Sequence, residues 1–437
     1  MRDAIFMLLM GLLLLLAVAR PFVGVLLWSW VSFMSVHRLS WGMATGQPWA
    51  ILTFGATLVG CVIAREPRQF RPTAMMVMLA VFALAITATS FVALNAPEVV
   101  WHKWDRTFKV IVGVLLTAAL LTERWRIHAL VWLIVIALGY FGVRGGIFTL
   151  ATGGGFMVLG PPDTTIADRN HIALALLFAI PLMNWLRLHS KHNIVRIGLV
   201  AAMVLTLFAA IGTQSRGALV AMAAVAVMLW LRSPKKAVSG IAIVLAVVAV
   251  VSFMPQSWVD RMSTIETFEQ DGSATGRMRI WEAAWNMAVA RPFTGGGFRA
   301  VYSQEIVNTY APGVTARATH NIYMEVLGEH GFLVFGLWLA MIGLGIFYTL
   351  RIVAIARDRP DLAWASDLAR MSQVSMVAYL VGGVFLSLAY WDVFWTLMVV
   401  LGATHAIVRR EVRAAVSTNA AAVPTALENW RAKPLPS

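Results

Sequence analysis

The residues of this chain best suited to chemistry are one histidine and several arginines, set in short polar stretches between long apolar runs. His320 lies in Thr319-His320-Asn321-Ile322-Tyr323, and Glu325, Leu327 and Glu329 follow at helical spacing. With Thr319 as N-cap, His320 falls in the first helical turn, where free N–H groups and the helix dipole disfavour imidazolium and keep the ring neutral. A neutral imidazole beside arginines that hold an anion is suited to act as a general base, whereas an isolated histidine is more often a packing residue. His330 is read in that second, structural way.

Residues 254–330 contain Arg261, Arg277, Arg279, Arg291, Arg299 and Arg317, no lysine, and eight acids. Arginine used to the exclusion of lysine fits bidentate recognition of phosphate or carboxylate better than diffuse attraction. A further arginine, Arg216, sits in Gly212-Thr213-Gln214-Ser215-Arg216-Gly217 at the start of an expected helix, where its guanidinium and free N–H groups can meet one anion. The plainer reading is an arginine touching lipid headgroups. The stretch 143–171 carries Arg144-Gly145-Gly146, Gly153-Gly154-Gly155 and Gly160-Pro161-Pro162-Asp163, and is expected to be a glycine-rich loop. It ends in Asp168-Arg169-Asn170-His171, in which Asp168 and Asn170 are either helix caps or substrate contacts. Gly295-Gly296-Gly297 reads as a turn of bare backbone. Residues 276–289 predict a helix with Ile280, Trp281, Ala284, Trp285 and Ala288 on one side.

The elements that hold these residues follow from composition. With 437 residues, 59% hydrophobic, only 13% charged and a mean hydropathy of +0.76, the chain is an all-α polytopic integral membrane protein. A bilayer core takes about 20 apolar residues per helix. Candidate spans are 48–64, 73–92, 107–122, 126–142, 171–187, 194–213, 217–231, 237–253, 331–350, 372–389 and 391–408. Residues 4–34, interrupted by Arg20-Pro21, supply one or two more, for about 12 (12–13) crossings. The domain division is then a transmembrane region at 1–253, a large loop with short helices and the active-site residues at 254–330, further spans at 331–410, and a disordered tail at 411–437 rich in Ala and Pro.

Lys and Arg concentrate in the alternate loops at 65–71, 123–126, 187–196, 232–236 and 351–370 and after residue 408, which makes those cytoplasmic and the large loop outward-facing. The net charge of +14 therefore reflects topology and contact with anionic lipid, and nucleic acid is not an expected partner. Met1-Arg2-Asp3 with Ala17-Val18-Ala19 has the outline of a cleavable signal, but the apolar run that resumes after Pro21 suits a retained anchor. The single cysteine, Cys61, excludes an internal disulfide and a cysteine-cluster metal site.

The series Gln214-Ser215-Arg216-Gly217, Gly276-Arg277 with Trp281, Thr294-Gly295-Gly296-Gly297-Phe298, and His320-Asn321-Ile322-Tyr323 with Glu329-His330-Gly331 resembles the signature of the O-antigen ligase, O-antigen polymerase and O-oligosaccharyltransferase superfamily. The N-terminal part, with Pro21-Phe22-Val23-Gly24, Gly145-Gly146-Ile147-Phe148-Thr149 and Gly160-Pro161-Pro162, is similar to a branch described as O-glycosylation ligases. The likeness reaches to about residue 410.

It implies a GT-C-like glycosyltransferase of the bacterial inner membrane, multi-pass, metal-independent and without cofactor, acting at the periplasmic face. The donor would be a glycan on undecaprenyl diphosphate. The acceptor would be a sugar hydroxyl of lipid A–core oligosaccharide in a ligase, another O-unit in a polymerase, or a protein Ser or Thr in an oligosaccharyltransferase. By this resemblance His320 is the catalytic histidine, Arg216 binds the diphosphate, and Arg277 and Arg299 are further diphosphate ligands. Asp168, Asn170, Gln214 and Asn321 are possible substrate contacts. Where relatives show Asp-Asn-Asn, this chain has Asp168-Arg169-Asn170, which leaves Arg169 without a family role. The chemistry suits the residues, since arginines can neutralise a diphosphate leaving group as magnesium often does. Ligase is the preferred reading. A transporter or flippase is the competing class, but the chain has no internal repeat and its apolar spans carry almost no charge. Asp163, Asp168 and Asp271 are the acids from which a metal dependence would have to be built.

Overall fold

The computed structural model describes residues 2–40, 42–67, 72–233, 235–263 and 272–431, and all its regular structure is helical. Asp271 and the chain end at 432–437 lie outside the described residues. The first eight helices are α1 (Arg2–Ala19), α2 (Pro21–Met34), α3 (Trp49–Ile63), α4 (Ala74–Phe91), α5 (Pro97–Leu120), α6 (Arg124–Ala151), α7 (Arg169–His189) and α8 (Asn193–Gly212). A pair, α9 (Arg216–Arg232) and α10 (Lys236–Phe253), leads to the short helices α11 (Gln256–Ser263), α12 (Gly272–Ala290) and α13 (Gln304–Tyr310). The chain finishes with α14 (Ile322–Ile355), α15 (Ala363–Gly382) and α16 (Asp392–Arg431).

Among the described residues eight helices are long and apolar enough to cross a membrane: α4, α6, α7, α8, α10, α14, α15 and α16. Helices α1, α2 and α3 are apolar but shorter. Residues 4–34 thus form two helices, parted at Arg20 because Pro21 starts the second. The side chains turned away from the bundle are largely aliphatic, and α10 buries none of its residues. Such a surface is stable in lipid, where apolar exposure costs nothing and only unsatisfied backbone is penalised. In α7, Pro181 removes an amide from the helix ladder, and Ser375 of α15 donates to the nearby carbonyl of Phe178 at 2.8 Å.

Two ends of the bundle can be told apart by their contacts. At one end Glu66 accepts from the Phe22 amide and pairs with Arg126 at 3.4 Å, Trp185 donates to the Trp364 carbonyl, and His189 meets Asp367 at 3.1 Å. The other end collects the loops after α2, α4, α6, α8, α10 and α15, and Asp3 accepts from the Ala44 amide there. It carries every residue singled out for chemistry.

Several boundaries differ from expectation. Arg144-Gly145-Gly146 is not in a loop, because α6 continues to Ala151. The glycines let α8 approach: a side chain at Gly146 would run into the Leu205 carbonyl, and one at Gly142 into Thr206. Helix α14 begins at Ile322 rather than 331, α15 ends at Gly382 rather than 389, and α5 reaches back to Pro97. The tail expected to be disordered from 411 continues α16 to Arg431, in keeping with its alanine content.

Candidate functional site

Residues 254–321 carry a small core of their own. Ile280, Ala283, Ala284 and Met287 of α12 are buried against Ala300, Val301, Val307, Ala311 and Val314. The buried stripe is therefore centred on 280, 284 and 287, and the two tryptophans flank it. Trp285 lies edge-on to Phe332 at 5.5 Å, while Trp281 Nε1 donates to the Thr319 carbonyl at 2.7 Å. Gln304 spans the returning strand of chain, donating to Val314 O at 2.7 Å and accepting from the Ala316 amide at 2.9 Å. Arg317 N–H donates to Val301 O at 3.1 Å. These bonds fix the backbone on the approach to His320.

The triglycine is not a simple turn. Helix α14 is broken at Gly331, whose φ of 74° and ψ of −177° lie outside the helical region. The break releases the carbonyls of Gly328 and Glu329, and the amides of Gly296 and Gly297 take them at 2.9 and 2.8 Å. The Phe332 amide, freed on the other side, donates to Pro292 O at 2.8 Å. Residues 292–297 are thus spliced into the helix. Side chains would prevent it, since a Cβ at Gly295 would meet the Glu329–His330 peptide at 2.6–2.7 Å and one at Gly297 would strike Ala93. The nine residues Ile322–His330 are oriented by this splice, and His330 is enclosed within it, 2.7 Å from Thr89 Oγ1 and 4.6 Å from the Phe298 ring centre.

His320 stands just outside the helix. The N-cap is Asn321, whose Oδ1 accepts from the amides of Tyr323 and Met324 at 2.9 and 3.2 Å, so Thr319 does not cap α14. His320 itself has φ of 46°, a left-handed conformation that ends any helix and costs about 1–2 kcal/mol for a residue with a side chain. Strain of that kind persists where surroundings over-determine it. Here the Trp281 bond to Thr319 precedes the histidine, the Asn321 cap follows it, and its own N–H donates to Ser387 Oγ at 3.1 Å. The imidazole is half-buried. Its pKa is held below that of a free imidazole, first by burial, then by the Arg277 charge with a smaller push from Arg317, against an opposing pull from Asp168.

Arg277, Arg317 and Asp168 therefore act on the same imidazole. Asp168 is the N-cap of α7, accepting from the Asn170 amide at 2.8 Å. Asn170 in turn accepts from Ser215 Oγ at 2.7 Å, and Ser215 caps α9 by accepting from the Ala218 amide at 3.2 Å. Arg216 is the first residue of that helix. Gln214, with φ of 53°, is buried and donates to Gly154 O at 3.2 Å, tying the α8–α9 corner to the loop after α6. Gly217 packs under Phe385, two residues before the Ser387 that holds His320. The starts of α7, α9 and α14 thus converge on the 385–387 segment.

Arg299 is engaged elsewhere. Its N–H donates to Glu329 Oε1 at 2.8 Å, its carbonyl accepts from Asn95, and its guanidinium lies 5.7 Å from the Tyr302 ring centre. It is absent from the charges that act on His320. Asn321, for its part, spends its side-chain oxygen on the cap. Among the described residues no group of three or more His, Cys, Asp or Glu side chains is placed to hold a metal ion.

Three members of this neighbourhood were not singled out from the sequence. Arg317 is one. His171, near enough to His320, Asp168 and Lys103 to feel their charge, has an Nε2 with no hydrogen-bond partner among the described residues. Lys103 reaches in from the outer part of α5, 3.7 Å from Glu325 and 5.2 Å from the Tyr390 ring centre. A hint for Arg317 existed in its place three residues before His320. Gly276 supplies the reason that Arg317 fits, because a Cβ there would occupy the position of its Nη1. Gly276→Ala is expected to fold, since only the far end of a flexible side chain must move, and to raise the His320 pKa by displacing Arg317. Circular dichroism together with an NMR titration of the variant's His320 checks both halves.

Residues 201–339 match the family described as O-Antigen ligase, and residues 1–191 match a family of unknown function (DUF5935). No curated protein matches the chain. The first match takes in Arg216, Arg277, Arg317 and His320; the second takes in Asp168, Asn170 and His171. Over residues 201–339, this multi-pass helical membrane protein carries a domain that matches the O-antigen ligase family, which supports its likeness to the O-antigen ligase and polymerase superfamily.

Proposed function

We propose that the protein is an O-antigen ligase, which transfers a polysaccharide from undecaprenyl diphosphate to a sugar hydroxyl of lipid A–core oligosaccharide. The observation that carries this reading is the meeting of Arg277, Arg317 and Asp168 around the His320 imidazole, at the bundle end where α9 begins with Arg216. The basic loops gather at the opposite end, and by the positive-inside rule this supports a cytoplasmic placement of that end and a periplasmic placement of the site in the proposed inner-membrane setting.

In the transfer the acceptor hydroxyl attacks the anomeric carbon of the donor, its proton passes to the neutral ring of His320, and the bond from that carbon to the diphosphate oxygen breaks. Direct displacement inverts the anomeric configuration. Charge developing on the leaving diphosphate is met by Arg216, Arg277 and Arg317, whose planar forks match phosphate oxygens. Arg299 is retained as a weaker diphosphate candidate. Asp168 and Asn170 position the ends of α7 and α9, and the arginines perform the neutralisation without a metal ion.

The test is transfer by the purified protein in detergent, with undecaprenyl-diphosphate-linked O-antigen as donor and lipid A–core as acceptor. Product formation that persists in excess EDTA is expected. Absence of product with that acceptor, or glycan lost from a protein rather than from lipopolysaccharide in a deletion strain, would overturn the ligase assignment in favour of an oligosaccharyltransferase. Loss of chain length alone would point to a polymerase.

A further inference from the structure

The connection between α15 and α16, residues 383–391, is held from several sides. Tyr379 Oη donates to the Leu388 carbonyl at 2.8 Å, and the indoles of Trp338 and Trp395 donate to the Ala389 carbonyl at 3.3 and 3.2 Å. The Ala389 amide donates to Glu325 Oε2 at 3.2 Å, and Leu386, Leu388, Ala389, Tyr390 and Trp391 are all buried. In the middle of this connection Ser387 turns its hydroxyl to the His320 N–H. We propose that Ser387 and Glu325 are positioning residues for His320, which hold the left-handed backbone that aims its imidazole and do not themselves touch substrate. The proposal rests on the reading of His320 as the base.

The carbonyl of Thr319 and the N–H of His320 belong to one planar peptide and point to opposite sides of it. Trp281 Nε1 of α12 holds the oxygen at 2.7 Å, and Ser387 Oγ holds the N–H at 3.1 Å. The orientation of that plane sets the φ of His320, which at 46° is a value that a residue with a side chain keeps only when its surroundings impose it. Without the serine oxygen the plane has one anchor in place of two. It is then free to turn, carrying the backbone toward an ordinary conformation and the imidazole away from Arg277.

Glu325 closes the circuit. Its own N–H donates to the Asn321 carbonyl at 2.8 Å, so it is fixed to the residue after His320, while its carboxylate takes the amide two residues beyond Ser387. The path His320, Asn321, Glu325, Ala389, Ser387 and back to His320 is thus short and bonded throughout. Lys103 Nζ stands 3.7 Å from Glu325 Oε1, so the buried carboxylate does not lack a counter-charge. The same connection also meets the donor side of the site, because Phe385 packs against Gly217, the residue after Arg216. Ser387 therefore ties the histidine to the element on which the start of α9 rests.

The experiment uses the full chain in detergent, with undecaprenyl-diphosphate-linked O-antigen as donor and lipid A–core as acceptor. Ser387→Ala is expected to lower kcat about tenfold and to leave both KM values within about twofold, the mark of a misaimed base rather than a lost contact. The acid limb of its rate profile should move up toward the ordinary histidine pKa of 6.5, as the ring leaves the influence of Arg277. Ser387→Thr, which keeps the hydroxyl, should stay within about threefold of the wild-type rate. Glu325→Leu, which cannot accept from Ala389, should resemble Ser387→Ala, and the double variant should lose little more than either alone because both act by one route. A thermal melt of each variant separates these effects from misfolding, and the Ser387 pair carries the test if Glu325→Leu does not melt cooperatively. Wild-type kcat and an unmoved acid limb in Ser387→Ala, or a Ser387→Thr as impaired as Ser387→Ala, overturns the positioning role. Losses that multiply in the double variant overturn the part given to Glu325. A His320→Ala variant with the wild-type rate overturns the reading of His320 as the base, which is a different result.

Discussion

His320→Ala is expected to lower glycan transfer by about 10²–10⁴-fold, the usual contribution of a positioned general base, while the lipid-linked donor still binds. The split follows from the site's construction. In the proposed function the donor's charged group is held by Arg216, Arg277 and Arg317, whereas the histidine acts on the proton that leaves the attacking hydroxyl. Donor titration alongside single-turnover transfer measures the two separately, and a variant that loses donor binding along with rate would assign His320 to donor recognition instead. The pH dependence gives a second reading of the same residue. A base is active when unprotonated, and burial together with Arg277 and Arg317 keeps His320 below the ordinary histidine pKa of 6.5. Activity should therefore persist as pH falls to that value and decline only beneath it. Asp168→Asn removes an opposing charge and should move the decline further down.

Arg277→Ala and Arg317→Ala are each expected to reduce transfer by about 10²–10³-fold, the cost of losing one preorganised donor to a developing negative charge. Both variants should also weaken donor binding. Each should shift the acid limb of the rate profile upward, because each guanidinium lowers the His320 pKa, and the shift should be larger for Arg277, whose influence is the greater. A pure stability defect would reduce the amount of active protein without moving that limb. Arg299→Ala provides the contrast. Its guanidinium is drawn to Tyr302, and the variant should leave the pH profile in place.

The membrane class and the helical architecture were legible without coordinates, since hydropathy summed over a window reports directly on the solvent a helix faces. The resemblance to the O-antigen ligase superfamily was legible too, as the family match over residues 201–339 bears out. Local motif was misleading where backbone geometry is decided by distant packing. Thr319 has the look of a cap, yet the left-handed His320 hands that role to Asn321. Gly145 and Gly146 have the look of a turn, yet they permit contact between α6 and α8.

By itself the sequence determined which solvent surrounds the bundle, about where its apolar helices run, and that arginines and one histidine at the loop ends were the groups to watch. Tertiary structure alone decided that Arg317 joins Arg277 at the imidazole while the Arg299 guanidinium lies over Tyr302, and that Lys103 and His171 enter the same neighbourhood from α5 and α7. It also decided that the triglycine completes the broken ladder of α14. The physical reason is range: apolar periodicity is written in adjacent residues, whereas the meeting of charges depends on where helix breaks and close glycine contacts bring segments that lie far apart in the chain.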